Sequence, residues 1–253
     1  MKIMSPDWYK KIWSLDIKSH SWVEDTENEV NFIINTLSLS GQEKILDLAC
    51  GFGRHSISFA QKGYSVVGVD ITKDYIDDAI KTAGELELEI DFICDDIRNL
   101  KFNNEFDVVL NLADGAIGYL ENDEENLKIF DMIAKSLKPS GNHFMDICSA
   151  DHAQHFFPKR HWDIGNKSMS LSEFDWISET KRMLYSQWDM MFGQIACKPD
   201  SIEATTTRLY TISELDEIFQ QRHMKIIDTY SDYRGQEYTF KNLQLMVYSE
   251  KTL

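Results

Sequence analysis

The stretch that most constrains this chain begins at Ile45-Leu46-Asp47-Leu48, passes Ala49 and Cys50, and enters Gly51-Phe52-Gly53-Arg54. An apolar strand ends in an acid and meets a two-glycine turn. A helical pattern then starts at once with His55, Ser56, Ile57, Phe59 and Ala60. Strand, tight turn and helix in that order form a unit of a parallel α/β sheet. Such a unit can hold a nucleotide-type cofactor at the carboxyl end of the strand. Glycine suits the turn because it accepts positive φ and leaves no Cβ between backbone and ligand.

The segments that follow repeat this alternation. Strands are expected at 44–49, 64–70, 90–94, 106–112 and 142–148, with helices at 54–62, 73–86 and 123–137. In the last helix Leu127, Phe130, Ile133, Ala134 and Leu137 keep one face apolar, and Lys138-Pro139-Ser140-Gly141 stops it. Repeated strand–helix alternation implies a parallel sheet covered on both faces. Before it, residues 5–40 read as two helices, from Trp8, Ile12 and Leu15 and from Val30, Ile33, Ile34 and Leu37.

From about 151 the pattern breaks. Residues 167–210 carry no helical stripe and contain short runs such as 184–190 and 202–207, separated by Gly193 and Pro199-Asp200. These read as antiparallel strands inserted into the α/β unit. Thr211 and Glu214 then form a capping-box pattern, with Tyr210 and Leu215 as a possible hydrophobic staple, for a helix at 211–222. Strands at 224–231 and 243–249 close the chain.

The net charge of −16, from 26 basic and 42 acidic residues, argues against nucleic acid as a partner, because phosphate binding needs clustered positive charge. Lys159-Arg160 with His161, and Lys181-Arg182, read as solvated loop charges. No apolar run approaches the roughly 20 residues needed to span a bilayer. The first residues lack the apolar run of a signal peptide. Cys50, Cys94, Cys148 and Cys197 form no C-x-x-C pair, so a reduced, cytoplasmic protein is expected. His152, His155 and His161 have no cysteine nearby, and no metal site is expected there.

Which cofactor the turn holds depends on acids at other strand ends. Ser56 stands where a dinucleotide fingerprint has Gly or Ala, which weakens an NAD reading. Asp70 ends the second strand, where a carboxylate can accept both hydroxyls of an adenosine ribose. Asp47 precedes Gly51 where NAD folds usually carry an apolar residue. Asp95-Asp96-Ile97 closes the third strand; one acid can accept from the adenine amino group while Ile97 packs on the ring. Asp96 is favoured as ligand, with Asp95 as the turn residue. Each acid also has a plainer reading: Asp47 as a buried strand-end acid satisfied by backbone N–H groups, Asp70 as a helix cap.

Taken in order, these motifs resemble the class I S-adenosylmethionine-dependent methyltransferases. Residues 47–53 resemble the first motif of that family, 67–70 the second, 95–97 the adenine-edge motif and 106–112 the fourth-strand motif. Leu137-Lys138-Pro139-Ser140-Gly141 resembles its Leu-Lys-Pro-Gly-Gly turn, with Ser140 departing. The resemblance covers about 40–150 in detail and extends weakly through Arg208-Leu209-Tyr210-Thr211 to the end. The chain resembles a branch of small-molecule methyltransferases with a β insertion after strand 5. The resemblance implies a seven-stranded Rossmann-like sheet of order 3-2-1-4-5-7-6, the seventh strand antiparallel. The expected layout is a helical lid at 1–40, a cofactor-binding core at 41–150 and 211–253, and a substrate or dimer subdomain at 151–210.

By that resemblance the cofactor site comprises Tyr9, Trp13, Asp47, Ala49, Gly51, Gly53, Arg54, Asp70, Ile71, Asp95, Asp96, Ile97, Asn111, Leu112 and Ala113. The lid residues Tyr9 and Trp13 equally suit helix packing, and Leu112 and Ala113 would contribute backbone only. Catalysis by alignment on a sulfonium methyl needs no triad. Asp114, Arg208 and Tyr210 are the candidates for acting on the acceptor. Trp22, His143, His152, His155 and Trp188 are secondary candidates. Trp162, Phe174, Trp176, Trp188, Met190, Met191 and Phe192 suit either a pocket or dimer face or the core of a small sheet. The expected reaction is methyl transfer to N or O of a small molecule by a monomer or homodimer. A non-catalytic S-adenosylhomocysteine binder, a protein methyltransferase and an NAD-dependent oxidoreductase are the alternatives.

Overall fold

A computed structural model describes residues 2–195 and 203–252. Cys197, Pro199-Asp200 and Ile202, used above, lie outside the described residues. The chain runs β1 (Lys2–Ile3), α1 (Thr26–Thr36), β2 (Lys44–Leu48), α2 (Arg54–Gln61), β3 (Ser65–Asp70), α3 (Lys73–Glu85), β4 (Asp91–Cys94), β5 (Phe106–Asn111), α4 (Asp123–Ser136) and β6 (Leu137–Cys148). It continues with α5 (Ala150–Phe156), β7 (Lys159–Ile164), β8 (Ser168–Ile177), β9 (Arg182–Met191), β10 (Glu203–Arg208), α6 (Ile212–Gln220), β11 (Met224–Tyr230) and β12 (Gln244–Lys251).

Seven strands form the main sheet in the order β11-β12-β6-β5-β2-β3-β4. Numbered within the sheet, this is the expected 3-2-1-4-5-7-6. β12 runs antiparallel to both β6 and β11, while β2 pairs in parallel with β3 and β5. The central strands are apolar on both faces because both are covered. Leu46, Val109 and Met145 pack in one cluster with Phe130, Ile133 and Phe219 of α4 and α6. Ile45, Val108 and Phe144 pack in the other with Val30, Ile33 and Phe59 of α1 and α2. Each Leu, Ile or Phe so buried contributes about 1.5–3 kcal/mol. Every polar end of this sandwich at the carboxyl edge of β2, β3 and β5 is therefore held by a rigid scaffold. The capping box at α6 is present, with Thr211 and Glu214 bonded reciprocally.

Three expectations change. Residues 5–23 form 3₁₀ turns at Trp8–Lys10, Leu15–Ser19 and Ser21–Val23, and α1 is the one α-helix there. The apolar stripe that suggested a first helix is split: Trp8, with Tyr9, is buried in the core, while Ile12 and Leu15 are exposed. β6 starts at Leu137, five residues before the expected 142, and the β5–β6 register shifts between Phe106 and Val108 to accommodate it. Helix α5, at the start of the segment expected as an insertion, has no counterpart in the sequence reading.

The insertion forms a second sheet, β1-β10-β9-β8-β7. Its hairpins are antiparallel, but β1 joins β10 in parallel, so the chain's first residues stitch onto the insertion. Phe174 and Met183 bury themselves against Ala150 and Ala153 of α5 and Leu209 as a small core. Trp162 and Phe192, by contrast, are exposed. No helix among the described residues is long and apolar enough to cross a membrane. Cys50, Cys94 and Cys148 are free thiols.

Candidate active site

At the end of β2 the backbone enters the left-handed region at Ala49 (φ 57°), Gly51 (φ 58°) and Gly53 (φ 77°). The two glycines do different work. A Cβ on Gly53 would sit 2.8 Å from the Phe92 ring and 3.0 Å from Ala79, so this glycine lets α2 pack closely on α3 and β4. A Cβ on Gly51 would meet nothing nearer than 3.9 Å, and Gly51 borders a cavity of about 1540 Å³. Gly53 does not line that cavity, which corrects its expected role from ligand contact to packing.

Asp70 ends β3 beside this turn. Its carboxylate accepts from Gly51 N–H at 2.9 Å and from Thr72 N–H at 2.8 Å. Asp70 also lines the cavity, where its carboxylate can accept from a diol. Burial raises its pKa, against which the backbone donors act. Asp47 is buried below and accepts from Ser56 Oγ at 2.6 Å. The serine that departs from a dinucleotide fingerprint is therefore the partner of Asp47. Burial still pushes Asp47 up to about 6.

Arg54 opens α2 and is held by α1. It donates to Glu29 at 2.5 Å and to Thr26 Oγ1 at 2.7 Å. His55 Nε2 lies 2.6 Å from the same Glu29 oxygen. Burial and the neighbouring guanidinium lower His55 to about 4, so it is neutral at pH 7 and donates that bond. Burial opposes ionisation of Glu29, yet these two partners hold its pKa below the usual value.

At the end of β4, Asp96 caps a 3₁₀ turn and is gripped by Arg98, which bonds one oxygen at 2.9 Å and the other at 2.5 Å. Arg98 overrides burial and keeps Asp96 ionised. Asp95 accepts from Asp96 N–H and from Asn99. Both acids and Ile97 line the cavity.

After β5 the chain takes four successive left-handed residues, Ala113 (51°), Asp114 (69°), Gly115 (50°) and Ala116 (63°). Asn111 fastens this turn by donating to Gly115 O at 2.8 Å. That explains a second correction: Asn111 is fully buried and supports the turn from behind, while Leu112, Ala113 and Asp114 line the cavity. The N-terminal turns close the cavity from above. Trp8 lies 4.7 Å from the Tyr119 ring, and Trp13 stacks on Tyr119 at 6.2 Å. Tyr9 donates to Glu121 and accepts from Arg98, which ties this cover to the Asp96 side.

Residues 45–141 match the family described as "Methyltransferase domain". A putative methyltransferase of Bacillus subtilis, YqeM, is 25% identical over 221 residues, covering 85% of this chain and 87% of that protein. The structure is similar to an S-adenosylmethionine-dependent methyltransferase from Clostridium acetobutylicum, with a TM-score of 0.75, 19% identity, and 93% and 96% of the two chains covered. It is also similar to the 1,6-didemethyltoxoflavin-N1-methyltransferase of Burkholderia thailandensis, solved with bound 1,6-didemethyltoxoflavin and S-adenosylhomocysteine. There the TM-score is 0.59, with 16% identity and coverage of 100% and 93%.

Residues 45–141 are a methyltransferase domain, and the fold is that of S-adenosylmethionine-dependent methyltransferases.

The residues present fit that cofactor. The chain keeps open space over Gly51 that a Cβ would enter, and the Asp70 carboxylate stands one hydrogen bond away. Other candidates fall elsewhere. Arg208 does not line the cavity: it is buried against Glu214 at 2.6 Å and lies over the Tyr210 ring. Tyr210 is also outside, packed edge-on against Phe130. Both expectations of a pocket-facing role are thereby corrected, because strand β10 turns Thr205 and Thr207 toward the cavity instead. His143 is buried between Ser249 and Asn111. His152 stacks on Phe156, His155 bonds Asp151 O, and Trp188 is outside the cavity lining. Trp22 does line it, over Arg54. Among the described residues no group of three or more His, Cys, Asp or Glu is arranged to hold a metal.

The sequence reading missed Asp146, Tyr119, Tyr185 and Tyr233, all of which line the far end of the cavity. Asp146 is buried near the end of β6. It accepts from Tyr233 Oη at 2.8 Å and from Gln244. Burial, with Asp114 and Glu29 nearby, pushes it up to about 7.

Proposed function

We propose that the protein transfers a methyl group from S-adenosylmethionine to a nitrogen or oxygen of a small molecule by in-line displacement. One observation carries this reading: a single cavity runs from Asp70 and Asp96, past Gly51, to a polar chamber at the ends of β5 and β6. Asp70 takes the ribose hydroxyls, Asp96 the adenine edge with Ile97 against the ring, and the Gly51 turn the amino-acid portion. Bound there, S-adenosylmethionine supplies a methyl carbon already activated by its sulfonium, so the protein's task is alignment. Asp114, presented by the left-handed turn, orients the acceptor. Residues 1–40, through Tyr9 and Trp13, act as lid, and 151–210 supply the far wall through Tyr185. The toxoflavin-type relative supports a small-molecule acceptor.

Calorimetry with S-adenosylhomocysteine tests the cofactor half. Binding is expected, and none at millimolar ligand would end the proposal. Transfer of labelled methyl to a panel of small amines, phenols and carboxylic acids tests the other half. Cofactor binding without transfer to any of them would leave a binding protein, not an enzyme.

A further inference from the structure

Beyond the Gly51 turn the cavity is lined by two carboxylates near the carboxyl ends of adjacent strands, Asp114 in the turn after β5 and Asp146 in β6. Asp114 and Asp146 are joined through the backbone, with Asp114 N–H donating to Asp146 O at 2.8 Å. Their side-chain partners are all neutral. Asp114 accepts from Tyr119 Oη at 3.1 Å and Cys148 N–H at 3.3 Å. Asp146 accepts from Tyr233 Oη and Gln244. Among the described residues neither carboxylate forms a salt bridge, and Arg54 on the same cavity wall is committed to Glu29. The placement of Asp114 is also enforced. Three non-glycine residues of its turn are held at φ between 51° and 69°. Such conformations persist only where surrounding bonds over-determine them. Here the Asn111–Gly115 and Asp114–Asp146 bonds do so.

Asp146 is buried and Asp114 half-buried, and carboxylates so withdrawn from water are costly unless matched by positive charge. A neutral acceptor leaves the pair unmatched, and an anionic one adds a third negative charge. A phenol would have to become a phenolate beside both. An ammonium satisfies the pair, and Tyr119, Tyr185, Tyr233 and Phe32 line the same cavity, so aromatic rings of the kind that attract cations stand nearby.

We propose that the acceptor is a positively charged aliphatic amine, seated with its ammonium between Asp114 and Asp146. This rests on the methyl-transfer reading and names the acceptor class for that site. The ammonium delivers one proton to Asp146, which frees a lone pair on nitrogen. That pair forms the nitrogen–carbon bond to the methyl group while the carbon–sulfur bond breaks, its electrons staying on sulfur. The products are a methylated ammonium and the neutral thioether, and Asp146 later returns its proton to water.

The test uses the full chain saturated with S-adenosylhomocysteine, titrated near neutral pH with benzylamine, benzyl alcohol and benzoate. These probes share one shape and differ in charge. Benzylamine should bind at least about tenfold more tightly than the alcohol, and benzoate least. Equal binding of amine and alcohol, preference for benzoate, or no amine binding at tens of millimolar overturns the proposal while leaving cofactor binding intact. Failure to bind S-adenosylhomocysteine at all would instead strike the methyl-transfer reading. Asp114→Asn and Asp146→Asn should each bring the amine down to the level of the alcohol, with unchanged circular dichroism and cofactor affinity. An amine preference that survives in both folded variants also refutes it.

Discussion

Replacing Asp146 with asparagine should make the empty protein more stable while disabling it. The carboxyl is 6% exposed and has only neutral partners. Its rise from 3.8 to about 7, at about 1.4 kcal/mol per pH unit, sets a ceiling of about 4 kcal/mol. The raised acid resists ionisation when folded. Its cost is therefore fully present above pH 7, shrinks as pH falls from 7 to 3.8, and is gone below that. Asparagine escapes the cost but turns one donor toward Tyr233 or Gln244, which offsets about 1–2 kcal/mol. A net gain of about 2–3 kcal/mol is expected at alkaline pH. Urea unfolding of both proteins at about pH 8.5 and about pH 4 measures it. The gain should appear only at the higher pH. A difference that is the same at both, or a variant weaker at alkaline pH, would refute the argument that Asp146 is held against its charge.

Asp70→Asn should weaken S-adenosylhomocysteine binding by about 1.5–3 kcal/mol, the worth of a charge-assisted bond, with little change in melting; calorimetry reads the first and a thermal scan the second. Gly53→Ala should destabilise the fold by about 1–3 kcal/mol through the Phe92 contact, whereas Gly51→Ala should cost only about 1 kcal/mol in stability but lower cofactor affinity more. Equal effects of the two on binding would contradict their assigned difference. Arg208→Met should cost about 1–2 kcal/mol by leaving half-buried Glu214 with the more exposed Lys181 as its cation, yet leave cofactor affinity unchanged; a large loss of binding would return Arg208 to the site.

The sheet and the near end of the cavity were legible because their signals are local. Asp47, Gly51, Asp70 and Asp96 each stand at a strand end, and strand ends follow from periodicity. The far end was not. Asp146 lies in an apolar strand that reads as ordinary core, and its partner Tyr233 comes 87 residues later. Glu29 looks like a surface acid of an amphipathic helix until Arg54 and His55 arrive from another one. Arg208 and Tyr210 failed for the opposite reason. Alternation along a strand says which residues share a face, but not which face meets the cavity. Nothing in Ala113, Asp114 or Ala116 announces a left-handed turn, since only Gly115 among them favours it.

That turn bears on how the protein can be redesigned. A loop that merely reversed direction would use glycine throughout and could drift toward new acceptors by small backbone shifts. This one holds alanine, aspartate and alanine in a conformation costing about 1–2 kcal/mol each, pinned at both ends. Altered selectivity is therefore to be sought by exchanging the side chain at position 114 or those facing it from Tyr119 and Tyr185. Remodelling the loop would release its strain before it moved the carboxylate anywhere useful.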